Sequence, residues 1–277
     1  MHAWMMLSAM SEYFNTAFHQ DGYAVARGLF GTAEVDLLRE HYMTLRHRDP
    51  VGAERDGRDP LRRYPRMAQM HRWDETSLRW LLDSRLRDRL AALLGTDPYA
   101  VQTMVYFKPP GSRGQALHQD NFYLRADPGT CVAAWMALDR ADEANGCMLV
   151  APGSHRWPIL CTEKADTTVS FTDVTVPLPP GQRVEAVSME PGDVLFFNGS
   201  VVHGSAPNTT ADRFRRALIG HYIQGDARQV ADYYHPALRM DGTPLDLAVA
   251  EGGGACGEWT DDGITLTGAE GIVRRHE

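Results

Sequence analysis

Tyr99-Ala100-Val101-Gln102-Thr103-Met104-Val105-Tyr106-Phe107 decides the fold class. The run is rich in β-branched and aromatic residues and is closed by Lys108-Pro109-Pro110-Gly111, so it reads as a strand ending in a turn. Side chains alternate along a strand, which puts Gln102, Met104 and Tyr106 on one face. Further β-like runs follow, separated by Gly and Pro turns: Cys131 to Leu138, Cys147 to Val150, Val184 to Met189, Val194 to Phe197 and Arg216 to Ile223. Short strands at such spacing predict an all-β sandwich or barrel.

Upstream, the period changes. Tyr13, Phe14, Ala17 and Phe18 recur at helical spacing within Met10 to His19. Gly22 to Ala26 reads as a short strand and Thr32 to Arg46 as a second helix, with Glu34 and Asp36 in its first turn. Glu75 to Leu94 carries leucines on one stripe and stops at Gly95, which predicts a third helix. Residues 47–64 are polar, with Pro50, Gly52, Gly57 and Pro60, and read as a loop; the tail after Gln224 is rich in Gly. The expectation is one domain over residues 1–277. A helical part spans about 8–95, a jelly-roll β core about 98–224, and a lid or tail about 225–277.

The 277 residues carry a formal net charge of −8 and no basic run, which argues against nucleic acid or an anionic membrane as partner. Cys131, Cys147, Cys161 and Cys256 form no C-x-x-C pair and read as thiols rather than a disulfide framework. Met1 to Met10 is apolar but short, with no basic n-region and no cleavage site, and no apolar run is long enough to span a bilayer. A cytoplasmic protein acting on a small molecule is expected; the oligomeric state is left open.

The chemistry sits in Leu117-His118-Gln119-Asp120 and, much later, in Val202-His203-Gly204-Ser205. Two histidines and one carboxylate with open coordination positions are the ligand set suited to non-haem Fe(II) oxygenases. His118 and Asp120 are two apart, so an extended backbone points them to one side and Gln119 away. With eleven histidines in the chain, an H-x-D tripeptide alone is more often a surface pair than a metal site. The surrounding order of motifs changes that balance.

Lys108-Pro109-Pro110-Gly111, His118-Gln119-Asp120, Trp135-Met136-Ala137-Leu138, Asn145-Gly146-Cys147, Pro152-Gly153-Ser154-His155, Pro191-Gly192-Asp193-Val194 and His203-Gly204-Ser205 occur in this order. In that arrangement the sequence resembles the phytanoyl-CoA dioxygenase family, from about Gly22 to Tyr222 and most densely from Gln102 onward. The resemblance implies a cupin-like double-stranded β-helix with an N-terminal helical layer, and dependence on Fe(II), 2-oxoglutarate and O2. By position it implies His118, Asp120 and His203 as iron ligands and Arg215 as the grip on the distal carboxylate of 2-oxoglutarate, with Arg213 as fallback. A guanidinium forks onto a carboxylate through two parallel hydrogen bonds. Arg215 also shares strand parity with the apolar Ala217 and Ile219.

Met104, Tyr106, Trp135 and Ser205 match family positions that contact the co-substrate, while Gln102, Asn121 and Tyr123 are candidates for substrate contacts. Arg66 is a looser match, and His221 and His235 receive no role. Related halogenases lack the carboxylate, so Asp120 favours hydroxylation of an unactivated C–H bond, with release of succinate and carbon dioxide. Desaturation, cyclisation and epimerisation use the same site. Two other classes compete: a cupin-type metal enzyme that does not use 2-oxoglutarate, for which H-x-H and a Glu would be usual, and a non-catalytic binding protein. The substrate expected is a free small molecule, since no basic cluster suits the phosphates of coenzyme A. Residues 47–64 and the tail are expected to act as lids.

Overall fold

The computed structural model describes residues 2–48, 64–252, 254–261 and 263–268, with side chains from residue 12 onward. The loop expected at 47–64 therefore lies almost wholly outside the described residues. In front stand α1 (His2–Asp21), α2 (Thr32–Arg48), α3 (Glu75–Leu81) and α4 (Ser84–Leu94). The single helix expected from Glu75 to Leu94 is thus two. Asp83 is extended, at φ −60° and ψ 132°, and its carboxylate accepts from the Arg85 N–H, so it caps a new helix instead of continuing the old one. Gly95 closes α4 in the left-handed region at φ 74°.

Twelve strands precede the tail: β1 (Tyr23–Ala26), β2 (Met67–Ala68), β3 (Tyr99–Lys108), β4 (Gln115–His118), β5 (Cys131–Ala137), β6 (Met148–Val150), β7 (Glu163–Lys164), β8 (Val174–Thr175), β9 (Glu185–Val187), β10 (Val194–Asn198), β11 (His203–Ser205) and β12 (Arg215–Ile223), of which β7 and β8 pair only with each other. A single turn of helix, α5 (Asn121–Leu124), follows β4. In the tail come β13 (Gln229–Val230), β14 (Ala237–Arg239), β15 (Pro244–Leu245), β16 (Ala248–Val249), β17 (Cys256–Thr260) and β18 (Gly263–Thr267). The large sheet runs β1-β10-β5-β12-β3-β14-β15, with β2 also on β3, and the smaller sheet runs β4-β11-β6-β9. Every ladder in these two sheets is antiparallel. The fold is a mainly-β jelly roll.

Period-two alternation sorts the large sheet into two faces. Val105, Val132, Ala134, Met136, Phe196 and Leu218 face outward and pack with Phe14, Phe18, Tyr42, Leu86 and Leu90 of the helices. Met104, Trp135, Leu195, Phe197, Ala217 and Ile219 face inward, against Met148, Val150 and Val187 of the smaller sheet. The helical layer thus keeps water off one face, and the other face is left to line an interior. Among the described residues no helix is long and apolar enough to cross a membrane.

One expectation is corrected. Cys161 and Cys256 are disulfide-bonded across 95 residues, so they are not thiols, while Cys131 and Cys147 are free and buried. The pairing arises because β17 runs alongside residues 159–161: the Gly257 N–H donates to the Ile159 carbonyl at 2.8 Å and the Cys161 N–H to the Gly257 carbonyl at 2.9 Å. The end of the tail packs against the segments that flank β7 and β8. Trp259 stacks edge-on against Trp157 at 5.0 Å, and its Nε1–H donates to the Pro177 carbonyl at 3.1 Å.

Candidate metal and oxoacid site

The antiparallel pairing of β4 with β11 sets His203 directly opposite His118. Gly204 allows this close approach, since a Cβ there would stand 2.7 Å from the Gln115 carbonyl oxygen. Asp120 follows where β4 turns into α5. Its backbone is helical (φ −64°, ψ −35°) rather than extended, yet its carboxylate still joins the two rings. One ligand atom from each of His118, Asp120 and His203 lies within 4.8 Å of the others, so the three could hold a metal ion. Gln119 points the other way. It is buried, accepts from the Leu160 N–H at 2.8 Å and donates to the Ser200 carbonyl at 2.8 Å, which braces the motif from behind.

The donor set fits a divalent metal in its hydrogen bonding as well. His118 Nδ1 is 3.0 Å from the Ala116 carbonyl and His203 Nδ1 is 3.0 Å from the Val201 carbonyl. A carbonyl only accepts, so both rings carry their proton on Nδ1 and turn the Nε2 lone pair to the site. Burial first, and the neighbouring His118 next, pull His203 down to about 4, which keeps the ring neutral, the form that binds metal. Burial alone would raise Asp120. The three surrounding histidines, His203 first and then His118 and His221, outweigh it and hold the carboxyl well below the usual carboxylate range.

A cavity of about 640 Å³ opens beside these ligands, between the two sheets. Gln102, Met104 and Tyr106 of β3 line it, as do Trp135 and Ser205. Arg215 lies at its inner end and is 2% exposed. Its Nε–H donates to the Gly146 carbonyl at 3.0 Å and its guanidinium lies 5.4 Å from the centre of the Trp135 ring. The neighbouring arginines are spoken for. Arg216 pairs with Asp139 at 2.7 Å and Arg213 with Asp142 at 2.6 Å, while Arg215 has no ion pair among the described residues. Burial pulls Arg215 down to about 10, a measure of how dry this end is.

Two residues that sequence reasoning passed over belong to the same wall. Lys108 is 2% exposed, and its ammonium donates to Ser205 Oγ at 2.8 Å and to the Ala206 carbonyl. Burial first, and Arg215 second, push it well below the usual lysine range. His221 on β12 reaches Asp120 Oδ2 at 3.2 Å. Strand parity was the available signal for both, since Lys108 shares it with Gln102, Met104 and Tyr106, and His221 with Arg215, Ala217 and Ile219. Asn121 differs from expectation, for it does not line the cavity and its amide oxygen accepts from the Ala126 N–H at 3.2 Å. Tyr123 lines the cavity with Phe122, and Tyr233 and Tyr234 of the tail close another side.

The family model for phytanoyl-CoA dioxygenase (PhyH) matches residues 18–217. The chain belongs to the phytanoyl-CoA dioxygenase family. It is therefore an enzyme of the Fe(II)/2-oxoglutarate-dependent oxygenase class, and the fold is that family's cupin-like jelly roll. Among relatives, the peroxisomal phytanoyl-CoA dioxygenase of Rattus norvegicus is 25% identical over 233 residues, 77% of this chain and 68% of that protein. Phytanoyl-CoA dioxygenase 1 of Oryza sativa subsp. japonica is 30% identical over 158 residues, 56% of this chain and 55% of that one. The crystal structure of the epimerase SnoN in complex with Fe3+, alpha ketoglutarate and nogalamycin RO superimposes with a TM-score of 0.65 at 22% identity, over 86% of this chain and 96% of that one. The cofactors of this family chemistry are iron, 2-oxoglutarate and O2, and the donor set fits them.

Proposed function

We propose that this family member oxidises an unactivated C–H bond of a free small-molecule metabolite, with hydroxylation as the outcome. In this reading iron is held by His118, Asp120 and His203, and the distal carboxylate of 2-oxoglutarate by Arg215. One observation carries it: the converging His–Asp–His group shares a cavity with a buried arginine that has no acidic partner among the described residues. A buried guanidinium without an anion is costly, and a dicarboxylate co-substrate supplies the missing charge.

The chain's own residues then do the following. The Nδ1–H bonds to Ala116 and Val201 orient the two imidazoles. Arg215 and Lys108 bind and align the oxoacid, with Ser205 beside them. Met104, Trp135 and Phe197 keep the inner end dry. Tyr106, Tyr123, Phe122, Tyr233 and Tyr234 surround the volume left for substrate. Iron and 2-oxoglutarate supply the oxidation, in which substrate R–H, O2 and 2-oxoglutarate become R–OH, succinate and carbon dioxide.

A cavity of about 640 Å³ has the size of small-molecule sites generally. Arg66 at its edge is exposed, has no ion pair among the described residues and lies 3.4 Å from the Tyr106 hydroxyl. These features support a compact substrate with aromatic or polar surface. The structural likeness to an epimerase supports stereochemical inversion as the second reading, through the same cofactors.

The test is anaerobic addition of Fe(II) and 2-oxoglutarate, with the visible charge-transfer band of the chelate as readout. The band appears, disappears in His203→Ala and weakens in Arg215→Ala. A folded, iron-loaded protein without a band rejects 2-oxoglutarate. Once the band is established, succinate release over a substrate panel identifies the substrate, and its product distinguishes hydroxylation from epimerisation.

A further inference from the structure

Asp120 stands between the two sheets. Its Oδ1 lies on the histidine side, 3.5 Å from His118 Nε2 and 3.7 Å from His203 Nε2. Its Oδ2 lies 3.2 Å from His221 Nε2. His118 and His203 belong to the smaller sheet, whereas His221 stands on β12 in the middle of the large one. His221 is 6% exposed, and its Nδ1 is buried with no partner among the described residues. A proton on Nδ1 would be buried without an acceptor, so the ring's proton sits on Nε2 and is donated to Asp120. The residue lies beyond the 18–217 span of the family match.

We propose that His221 is a positioning residue that engages Oδ2 of Asp120 and so leaves Oδ1 alone to face the metal. The inference rests on the proposed ligand set. A carboxylate tethered at neither oxygen turns about its Cβ–Cγ bond and can offer both oxygens to a cation. Two oxygens would occupy a position that the bidentate oxoacid or dioxygen needs. A donor fixed on the opposite sheet prevents that rotation. Partners that orient metal ligands in this way typically change metal affinity by about 10- to 100-fold when removed.

The test is metal binding by the full chain, followed with Mn(II) titration and with the visible d–d absorption of the Co(II) form. Wild type and His203→Ala establish the ligand set first; wild type that binds no metal rejects that set and leaves His221 out of account. Given binding, His221→Phe keeps the ring volume and loses the donor. It is expected to remain folded by circular dichroism, to bind Mn(II) about 10-fold or more weakly, and to show an altered Co(II) band. His221→Gln restores an N–H at similar reach and recovers both readouts. Unchanged affinity and spectrum in His221→Phe overturn the proposal. Loss in His221→Phe without recovery in His221→Gln also overturns it, because the ring rather than its N–H would then be what matters.

Discussion

Lys108 and Arg215 are register partners across the β3–β12 ladder, and both side chains enter the same dry end of the cavity. Two basic groups side by side, with no acid paired to either among the described residues, form a site that an anion completes. Arg215→Ala should raise the 2-oxoglutarate dissociation constant by about 100-fold, the scale of two charge-assisted hydrogen bonds. Lys108→Met should raise it by about 10-fold and leave the ligand-free protein within about 1 kcal/mol of wild type, so that only the ligand-induced stabilisation shrinks. Calorimetric titration of 2-oxoglutarate and thermal melts with and without it are the measurements. Arg216→Ala, which breaks the Asp139 pair, should cost stability without changing this affinity.

Gly146 links the oxoacid wall to its loop. It sits at φ +83°, and a Cβ there would meet the Ala206 carbonyl oxygen at 2.5 Å and Lys108 Cδ at 2.8 Å. Its carbonyl also accepts from Arg215. Gly146→Ala is expected to destabilise the fold by about 1–3 kcal/mol through the backbone conformation and the clash. It should weaken 2-oxoglutarate binding as well. Urea unfolding and the same titration measure the two effects, and a variant that is weakened in neither contradicts the geometry.

Stability should fall in mild acid. Burial first, and Arg72 second, pull His71 down from 6.5 to about 4, and the ring is held by Thr103. A histidine depressed in the folded state binds its proton earlier in the unfolded chain, so stability is lost as pH drops through 6.5 toward 4. By pH 5 the loss from this residue is on the order of 2 kcal/mol. His203 adds the same sign in the metal-free protein. Urea unfolding between pH 7.5 and 5 should therefore show a smaller drop for His71→Gln than for wild type.

The Cys161–Cys256 bridge closes a long loop, and long loops gain the most from closure. Cys256→Ser should lower stability by about 2–4 kcal/mol. Thiol titration of the unfolded, unreduced chain should find two cysteines, Cys131 and Cys147, and of the reduced chain four. Four thiols without reductant would contradict the pairing.

Alternation of apolar side chains announced the strands that carry the core, and one parity argument placed Arg215 inward ahead of Arg216, with Arg213 left as the fallback that its ion pair with Asp142 removes. The same parity covers Lys108 and His221, but a lysine and a lone histidine are usually solvated, so sequence alone gave no reason to turn them inward. Asn121 shows the converse, since adjacency to H-x-D suggested a substrate contact and the turn it sits in used the side chain locally. The short strands β4 and β11 were not legible either, because four and three residues are too few to show a period.

What the sequence determined by itself is therefore local and periodic: which segments alternate, which residues share a face, and which residue types are able to ligate a metal. Tertiary structure alone decided what meets across distance: His203 opposite His118, Arg215 beside Lys108, Cys161 on Cys256, and His221 on the free oxygen of Asp120. The reason is physical. Register between strands is fixed by how two whole faces bury their apolar rows together, and no single segment contains that information.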